Sequence, residues 1–215
     1  MLWRVVATIA LIGVLLFLPA GTWRFWQGWL FLGVFFATSL GLSLYFLVYQ
    51  PDLIARRLRS REPIRGQRIG QGILMVLFFG GMVLSGLDHR YGWSQMPAAL
   101  VLAGDTAIIV GHLIIFRVFQ ENRFAGSTVE TETGQQVISS GPYALVRHPM
   151  YLGALPIFFG MPFALATHWA VPLYLLFIPF LVLRIRTEEA MLRRDLPGYD
   201  EYMQKVRWRL IPGMW

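Results

Sequence analysis

The sequence contains no cysteine, few charged residues and no polar segment long enough for a separate soluble domain. The absence of cysteine excludes disulfides, thiolate metal ligands and a cysteine nucleophile. The four histidines are dispersed along the chain, so we expect no metal site. Hydrophobic residues make up 56% of the 215 residues and charged residues only 14%. This composition is typical of integral membrane proteins, and the length suits a single membrane domain over 1–215.

The apolar segments predict an all-α integral membrane protein, a bundle of about six transmembrane helices, with five as the alternative. They cover roughly residues 2–19, 26–49, 70–87, 97–119, 149–167 and 169–185. Only Thr167 and His168 separate the last two, which predicts a helical hairpin that crosses the bilayer fully or in part. Its four prolines should kink the helices (Pro156, Pro162, Pro172 and Pro179). Residues 50–69 carry six arginines and are expected to form an amphipathic surface segment.

The positive charge is distributed unevenly between the two sides of the predicted bundle. A net charge of +7 would also suit a nucleic-acid-binding protein, but here the arginines border apolar spans. Seventeen of the nineteen arginine and lysine residues fall on the side that holds both termini. The bias predicts cytoplasmic termini and contact with anionic membrane lipids, with no nucleic acid as partner.

Residues 134–151 crowd an arginine, a histidine, two tyrosines and two prolines between apolar segments. Pro149 is suited to the first position of a helix, and the residues before it are biased towards extended backbone. Arg147 and His148 are therefore expected at a loop-to-helix junction, beside N–H groups that suit a carboxylate or phosphate. The alternative is a basic anchor that precedes a membrane helix.

Glu188 and Glu189 end the last apolar segment, and Arg184 lies one turn before Glu188. Residues four apart share a helix face, so Arg184 and Glu188 would point at one ligand or at each other. Acidic side chains at a helix C-terminus oppose the helix dipole, and a cationic ligand would offset this cost. With Arg147 and His148 opposite, the pocket would suit an amino-acid-like group. The alternative is a solvated charge cluster.

Three motifs together carry a family resemblance. They are Gly-Pro-Tyr-Ala-Leu-Val-Arg-His-Pro-Met-Tyr-Leu-Gly (141–153), Arg-Thr-Glu-Glu-Ala-Met-Leu (186–192) and Pro-Gly-Tyr-Asp-Glu-Tyr (197–202). In this order they resemble the isoprenylcysteine carboxyl methyltransferase family, which is related to the membrane phospholipid N-methyltransferases. The resemblance covers roughly 115–212. It implies a membrane methyltransferase that uses S-adenosyl-L-methionine and a lipid-like or lipophilic acceptor.

The resemblance also implies the organisation of the chain and its site. Residues 1–114 would form N-terminal helices with an arginine-rich cytosolic loop, and 115–215 a methyltransferase core with a cytosolic cofactor pocket built by the last helices and the tail. The implied cofactor contacts are Gln135, Val137, Ile138, Tyr143, Arg147, His148, Pro149, Met150, Tyr151 and Glu188. The absence of a G-x-G-x-x-G motif agrees with a cofactor site unlike that of soluble methyltransferases.

The sequence leaves two alternatives for the methyl acceptor, a carboxylate or an amine. An acceptor carboxylate needs only orientation. The resemblance implies a substrate-orienting arginine just before the Glu-Glu pair, and Arg184 fits that spacing better than Arg186. An amine would need a base, and His148 or Glu189 are the candidates.

Two other function classes compete with the methyltransferase. A sterol-reductase-type enzyme would use NADPH, with Arg147 and the arginine-rich loop available for its phosphate. A small transporter or proton-conducting bundle would use Asp105 and His112, seven residues apart on one helix face. A structural hydrogen bond is the alternative role for Asp105. Small residues at four-residue spacing, such as Ala107 and Gly111, favour close helix packing and permit a homodimer.

Overall fold

The structure is a computed structural model that describes residues 2–59, 65–124 and 136–215. Within these ranges the chain is helical and contains no strand. The α-helices are α1 (Leu2–Ala20), α2 (Trp26–Tyr49), α3 (Pro51–Arg59), α4 (Arg65–Tyr91), α5 (Ala98–Glu121), α6 (Pro149–Ala164), α7 (Ala170–Leu175), α8 (Phe177–Asp195) and α9 (Tyr199–Lys205). A 3-10 turn covers Gly141–Ala144. The arrangement confirms the predicted all-α class.

The helices form a membrane bundle whose outer surface is apolar. Four spans within the described residues are long and apolar enough to cross a bilayer, namely α2, α4 from Arg68, α5, and α7 together with α8. Two shorter apolar helices, within α1 and α6, bring the total to the six predicted segments. Large hydrophobic side chains such as Leu18, Val48 and Val76 are at least 70% exposed. In water this surface would be unfavourable, whereas lipid tails solvate it.

The helix boundaries depart from the apolar segments mainly where polar residues continue a helix. α4 begins at Arg65 rather than near residue 70. The predicted surface segment includes α3, while residues 60–64 lie outside the described part. Helical hydrogen bonds are local, so a helix extends beyond the stretch that hydropathy detects.

The prolines of the hairpin act differently in its two arms. Pro156 and Pro162 lie inside the continuous α6. The second arm is interrupted at Leu176, between α7 and α8. Pro179 follows in the first turn of α8 and has no N–H to offer to the carbonyl of Leu175, which helps to explain the break.

Helices α5 and α6 approach each other through glycines on both helices. An ideal Cβ built on Gly111 would lie 2.5 Å from the carbonyl oxygen of Gly153, and one on Gly160 would lie 2.7 Å from that of Gly104. The antiparallel backbones are therefore nearly in contact at two levels, seven residues apart on each helix. Gly111 thus has the packing role that its small size predicted.

At the other end of the bundle, Asp88 in the last turn of α4 binds residues of two connecting turns. Its carboxylate accepts hydrogen bonds from the backbone N–H of Ser94 at 2.7 Å and the Ser94 hydroxyl at 2.6 Å. The Thr167 hydroxyl donates a further hydrogen bond to it. The α4–α5 loop is thereby tied to the turn between α6 and α7, at the Thr167-His168 position predicted for the hairpin turn.

The α5–α6 contact makes Gly111→Ala a sharp test of the packing. The new methyl group would meet backbone atoms that cannot rotate away, so we expect destabilisation of about 1–3 kcal/mol. The matched control is Gly33→Ala on α2, where a Cβ has nothing within 4 Å and alanine favours the helix. Thermal unfolding of the detergent-purified protein measures both. Equal melting temperatures for the two variants would contradict the close packing.

Candidate functional site

The site begins where the chain enters α6. As predicted, Pro149 is the first residue of that helix. The two residues before it pair with the C-terminal tail through their backbone. Arg147 N–H donates to the carbonyl of Trp208 and His148 N–H to that of Arg209, each at 2.9 Å. The extended backbone that proline imposes on preceding residues leaves these N–H groups free for such pairing.

A buried ion-pair network fastens this loop and the tail to α8. Arg147 donates through Nε to Glu189 Oε1 at 2.7 Å, and both side chains are almost fully buried. Arg209 Nε donates to the other oxygen, Oε2, at 2.8 Å. Arg147 Nη1 also donates to the carbonyls of Val206 and Arg207, each at 2.9 Å. These contacts favour a structural role for Arg147 and Glu189, whose cofactor-binding and catalytic roles remain predictions.

A second network lies beside the first and links α6 to α8. Arg184 Nε donates to the Tyr151 hydroxyl at 2.8 Å. That hydroxyl donates to Glu188 Oε2 at 2.6 Å. Arg184 and Glu188 therefore share one helix face, as their spacing predicted, and the Tyr151 hydroxyl forms a hydrogen bond with each of them. The Arg184 guanidinium and the Glu188 carboxylate are therefore held close together around the Tyr151 hydroxyl.

His148 stands between the two glutamates. Its Nε2 lies 3.3 Å from Glu189 Oε1, and its Nδ1 lies 3.9 Å from Glu188 Oε1. A carboxylate only accepts hydrogen bonds, so we assign the hydrogen to Nε2. In the neutral ring Nδ1 is then an acceptor that faces a second acceptor. A hydrogen-bond donor with more than one hydrogen, such as an ammonium group, would satisfy both.

Tyr143 lies in the 3-10 turn before α6 and packs in one cluster with Leu192 of α8. Its hydroxyl accepts a hydrogen bond from Asn122 Nδ2 at 2.9 Å, and its carbonyl accepts one from the Tyr202 hydroxyl at 2.8 Å. Burial and the negative charge of Glu188 raise the pKa of Tyr143 to about 12, although the bond from Asn122 acts in the opposite direction. The phenol is therefore neutral at physiological pH. Met150 packs between the cluster around Tyr143 and the one around Tyr151.

The remaining predicted residues divide between the site and its surroundings. Val137 packs with the tail helix around Tyr199 and Tyr202, and Ile138 is half-buried nearby along the chain. Arg186 is exposed and lies two residues from Arg184, on the opposite side of α8. Of the two orienting arginines, the structure brings only Arg184 to the second network. Gln135 lies outside the described residues.

Asp105 and His112 do not form a direct relay in the described structure. His112 lies 3.0 Å from the Ser39 hydroxyl through Nε2 and 2.9 Å from the carbonyl of Ile108 through Nδ1. The Nε2 contact links α5 to α2, and the Nδ1 contact lies within α5. Asp105 is buried, and among described residues its carboxylate oxygens have no hydrogen-bond partner. The structural hydrogen bond considered for Asp105 is therefore not found there, and its functional role stays a prediction.

Several site residues carried too little local signal to be singled out. Arg209 belongs to a polar, aromatic tail, and Asn122 follows the end of α5. Their roles depend on contacts with residues far away in sequence. The hint was the concentration of tyrosines and arginines in a tail that follows the last membrane segment.

The fold and the two networks define a class: a helical, multi-pass membrane protein with a polar site at one end of its C-terminal helices. Residues 99–196 match the phospholipid methyltransferase family. This match confirms the resemblance to membrane methyltransferases that the sequence motifs indicated. It begins at the start of α5 and ends before the tail helix α9.

The chain is also similar to two sterol reductases. The chain is 34% identical over 89 residues to a Delta(14)-sterol reductase of Mus musculus, covering 40% of this chain and 21% of that protein. It is 26% identical over 168 residues to a Delta(14)-sterol reductase of Ascobolus immersus, covering 67% of this chain and 38% of that protein. The matches thus span less than two fifths of either reductase.

Glu189→Gln tests whether the first network holds the tail in place. The variant leaves Arg147 buried without a full counter-charge, and breaking a buried pair costs about 3–5 kcal/mol. We expect a lower melting temperature and faster proteolysis of residues 196–215. The matched control is Glu201→Gln, at an exposed position of α9. An unchanged melting temperature and an intact tail in Glu189→Gln would show that the ion pair does not support the site.

Proposed function

We propose that this protein is an S-adenosyl-L-methionine-dependent methyltransferase of the membrane that acts on a lipophilic acceptor. The observation that carries the proposal is the cluster of Arg184, Tyr151, Glu188 and His148. It lies within the part of the chain that matches the phospholipid methyltransferase family. The positive-inside bias supports a site that faces the cytosol, where the cofactor is available.

The residues present fit the cofactor's functional groups. Glu188 Oε1 and His148 Nδ1 are two neighbouring acceptors that suit its ammonium group. Tyr143 and Met150 supply aromatic and apolar surface for the less polar parts. Once bound, S-adenosyl-L-methionine supplies a methyl group on a positively charged sulfur. The protein has to place a nucleophile in line with that group and to exclude water.

An apolar groove supports entry of the acceptor from the bilayer. It has a volume of about 240 Å³ and lies between α4 and α8, where Leu74, Phe180 and Leu183 line it. Arg184 forms part of the same wall, and its Nε reaches the Tyr151 hydroxyl. A lipid chain in the groove would therefore place its polar end near the second network.

The chemistry around Arg184 favours a carboxylate acceptor over an amine. Arg184 is a cation that would orient a carboxylate, which is already ionised and needs no base. An amine acceptor would require proton removal, and Glu189 is already engaged by two arginines. His148 Nδ1 is the remaining candidate for that step. Carboxylate O-methylation is therefore our preferred reaction, with amine N-methylation as its alternative.

The similarity to the two sterol reductases favours a second candidate, an NADPH-dependent membrane reductase. The two functions make different demands on the glutamates. The ammonium group of a methyl donor with an amino-acid end would be stabilised by the carboxylate of Glu188. A phosphate-bearing nucleotide would be repelled by it, because like charges in a partly buried site are unfavourable.

Calorimetric titration of the detergent-purified protein with S-adenosylhomocysteine and, separately, with NADPH distinguishes the two candidates. We expect saturable binding of S-adenosylhomocysteine, weakened about tenfold or more in Glu188→Gln, because a charge-assisted hydrogen bond to the ammonium group is lost. His148→Ala should weaken it as well. Glu201→Gln, exposed on α9, is the matched control and should bind like the wild type.

If the protein binds NADPH and does not bind S-adenosylhomocysteine, the methyltransferase proposal is wrong and the reductase proposal is favoured. Binding of neither ligand would leave both enzymatic proposals without support and would shift attention to Asp105 and His112. The wild-type protein that binds S-adenosylhomocysteine can then be offered fatty acids and phospholipid amines with a labelled methyl donor to identify the acceptor.

A further inference from the structure

We propose that a groove between α5 and α6 binds a membrane phospholipid with a negatively charged headgroup, and that Arg117 holds its phosphate. The groove has a volume of about 450 Å³, within the range of about 300–1,000 Å³ that is usual for ligand pockets. It shares no lining residue with the smaller groove between α4 and α8 that contains Arg184. Its occupation does not depend on the proposed methyltransferase activity.

One side of α5 supplies an apolar wall that ends in a cation. Its four lining residues recur at spacings of three and four positions, which places them along one helix face; they are Val110, Leu113, Ile114 and Arg117. Val110 and Leu113 are 45% and 58% exposed, so the wall is open to the lipid around the bundle. Arg117 lies about 10 Å beyond Val110 by the rise of the helix. The groove therefore changes from apolar to cationic along its length.

The other wall comes from α6 and the loop before it. Pro149 and Leu152, in the first turn of α6, line the groove, and Leu145 and Val146 of the loop continue the wall. Leu145 is 67% exposed although it lies outside the apolar helices. Contact with lipid explains a large apolar side chain in such a place. The groove therefore extends from the membrane spans to the polar end of the bundle.

The charge at this end of the groove favours an anion. Arg117 is exposed, and its Nη1 donates to Gln120 Oε1 at 3.3 Å, an uncharged acceptor that supplies no counter-charge. The planar fork of an arginine suits the oxygens of a phosphate. Glu121 lies one turn further along α5 and would oppose an anion. Its carboxylate accepts a hydrogen bond from the Ser140 hydroxyl, and it does not line the groove, so we expect Arg117 to dominate.

An acidic phospholipid matches both parts of the groove. An acyl chain suits the apolar walls, and the phosphate suits Arg117. A surface arginine attracts an acidic lipid with a gain in affinity of about fivefold. A lipid with a choline headgroup carries a compensating positive charge and loses this gain. A soluble phosphate has no chain for the apolar walls.

The groove borders the loop that carries Arg147 and His148. Val146 and Pro149, which flank these two residues in the sequence, both line it. The backbone N–H groups of Arg147 and His148 pair with the C-terminal tail. A lipid in the groove would support the same loop from the membrane side. We therefore expect bound lipid to stabilise the folded protein, because a ligand of the folded state shifts the unfolding equilibrium.

The test measures lipid binding to the full-length protein in detergent by native mass spectrometry. The protein is offered equal amounts of phosphatidylglycerol and phosphatidylcholine with the same acyl chains, so that only the headgroup differs. Arg117→Gln removes the charge, and Val110→Phe fills the apolar part of the groove. The matched controls are Arg123→Gln, exposed near the same end of α5, and Leu102→Phe, exposed on α5; neither residue lines the groove.

We expect the wild type to prefer phosphatidylglycerol about fivefold and Arg117→Gln to lose this preference. Val110→Phe should weaken the binding of both lipids at least about fourfold, the scale of one methylene group that is no longer buried. Both controls should behave like the wild type. Phosphatidylglycerol should also raise the melting temperature of the wild type more than that of Arg117→Gln.

Equal binding of the two lipids by the wild type, or an unchanged preference in Arg117→Gln, would overturn the inference. An equal loss of preference in Arg123→Gln would also overturn it, because the attraction would then belong to the basic surface as a whole. Unchanged binding in Val110→Phe would place the lipid outside the groove. If Val110→Phe does not fold, the comparison of Arg117→Gln with Arg123→Gln decides.

The lipid site and the proposed function fail separately. None of these samples contains S-adenosylhomocysteine, so a protein that does not bind that ligand can still show the headgroup preference. A protein that binds S-adenosylhomocysteine and shows no headgroup preference removes only the lipid site.

Discussion

The buried ion pair between Arg147 and Glu189 is the interaction on which the site depends. It joins the loop before α6, the C-terminal half of α8 and the C-terminal tail, which are far apart in the chain. Because α8 continues to Asp195, Glu188 and Glu189 are not at the helix C-terminus where the sequence predicted them. Neither charge of the pair would be stable in this place alone, because removing an ion from water costs more than a single neutral contact returns. The three segments therefore hold their positions together. His148, the next residue after Arg147, takes its place between the two glutamates as a consequence.

Two adjacent glutamates acquire different roles from the geometry of one helix. Successive residues of an α-helix point about 100° apart, so Glu188 and Glu189 face different neighbours. Glu189 is buried among arginines and accepts hydrogen bonds on both oxygens. Glu188 is more exposed, and one of its oxygens lies towards His148. One carboxylate thus stabilises the arrangement, and the other remains in a position to contact a ligand.

The membrane part of the structure places these groups through a close helix contact. Gly111 and Gly153 allow the backbones of α5 and α6 to approach closely. The end of α5 consequently lies next to the 3-10 turn, where Asn122 reaches the hydroxyl of Tyr143. Without a hydrophobic driving force between helices in lipid, such small-residue contacts supply much of the packing energy. The position of the polar site therefore depends on glycines in the bilayer.

The sequence by itself determined the all-α membrane class, most helix boundaries and the start of α6 at Pro149, because hydropathy and proline geometry act over a few residues. It also indicated Arg184 and Glu188 on one helix face, since helical periodicity is local. Only the tertiary structure decided that Arg147 binds Glu189, 42 residues away, and that Arg57 meets Met150, 93 residues away. Such partners depend on how whole helices pack, and no local pattern encodes that packing.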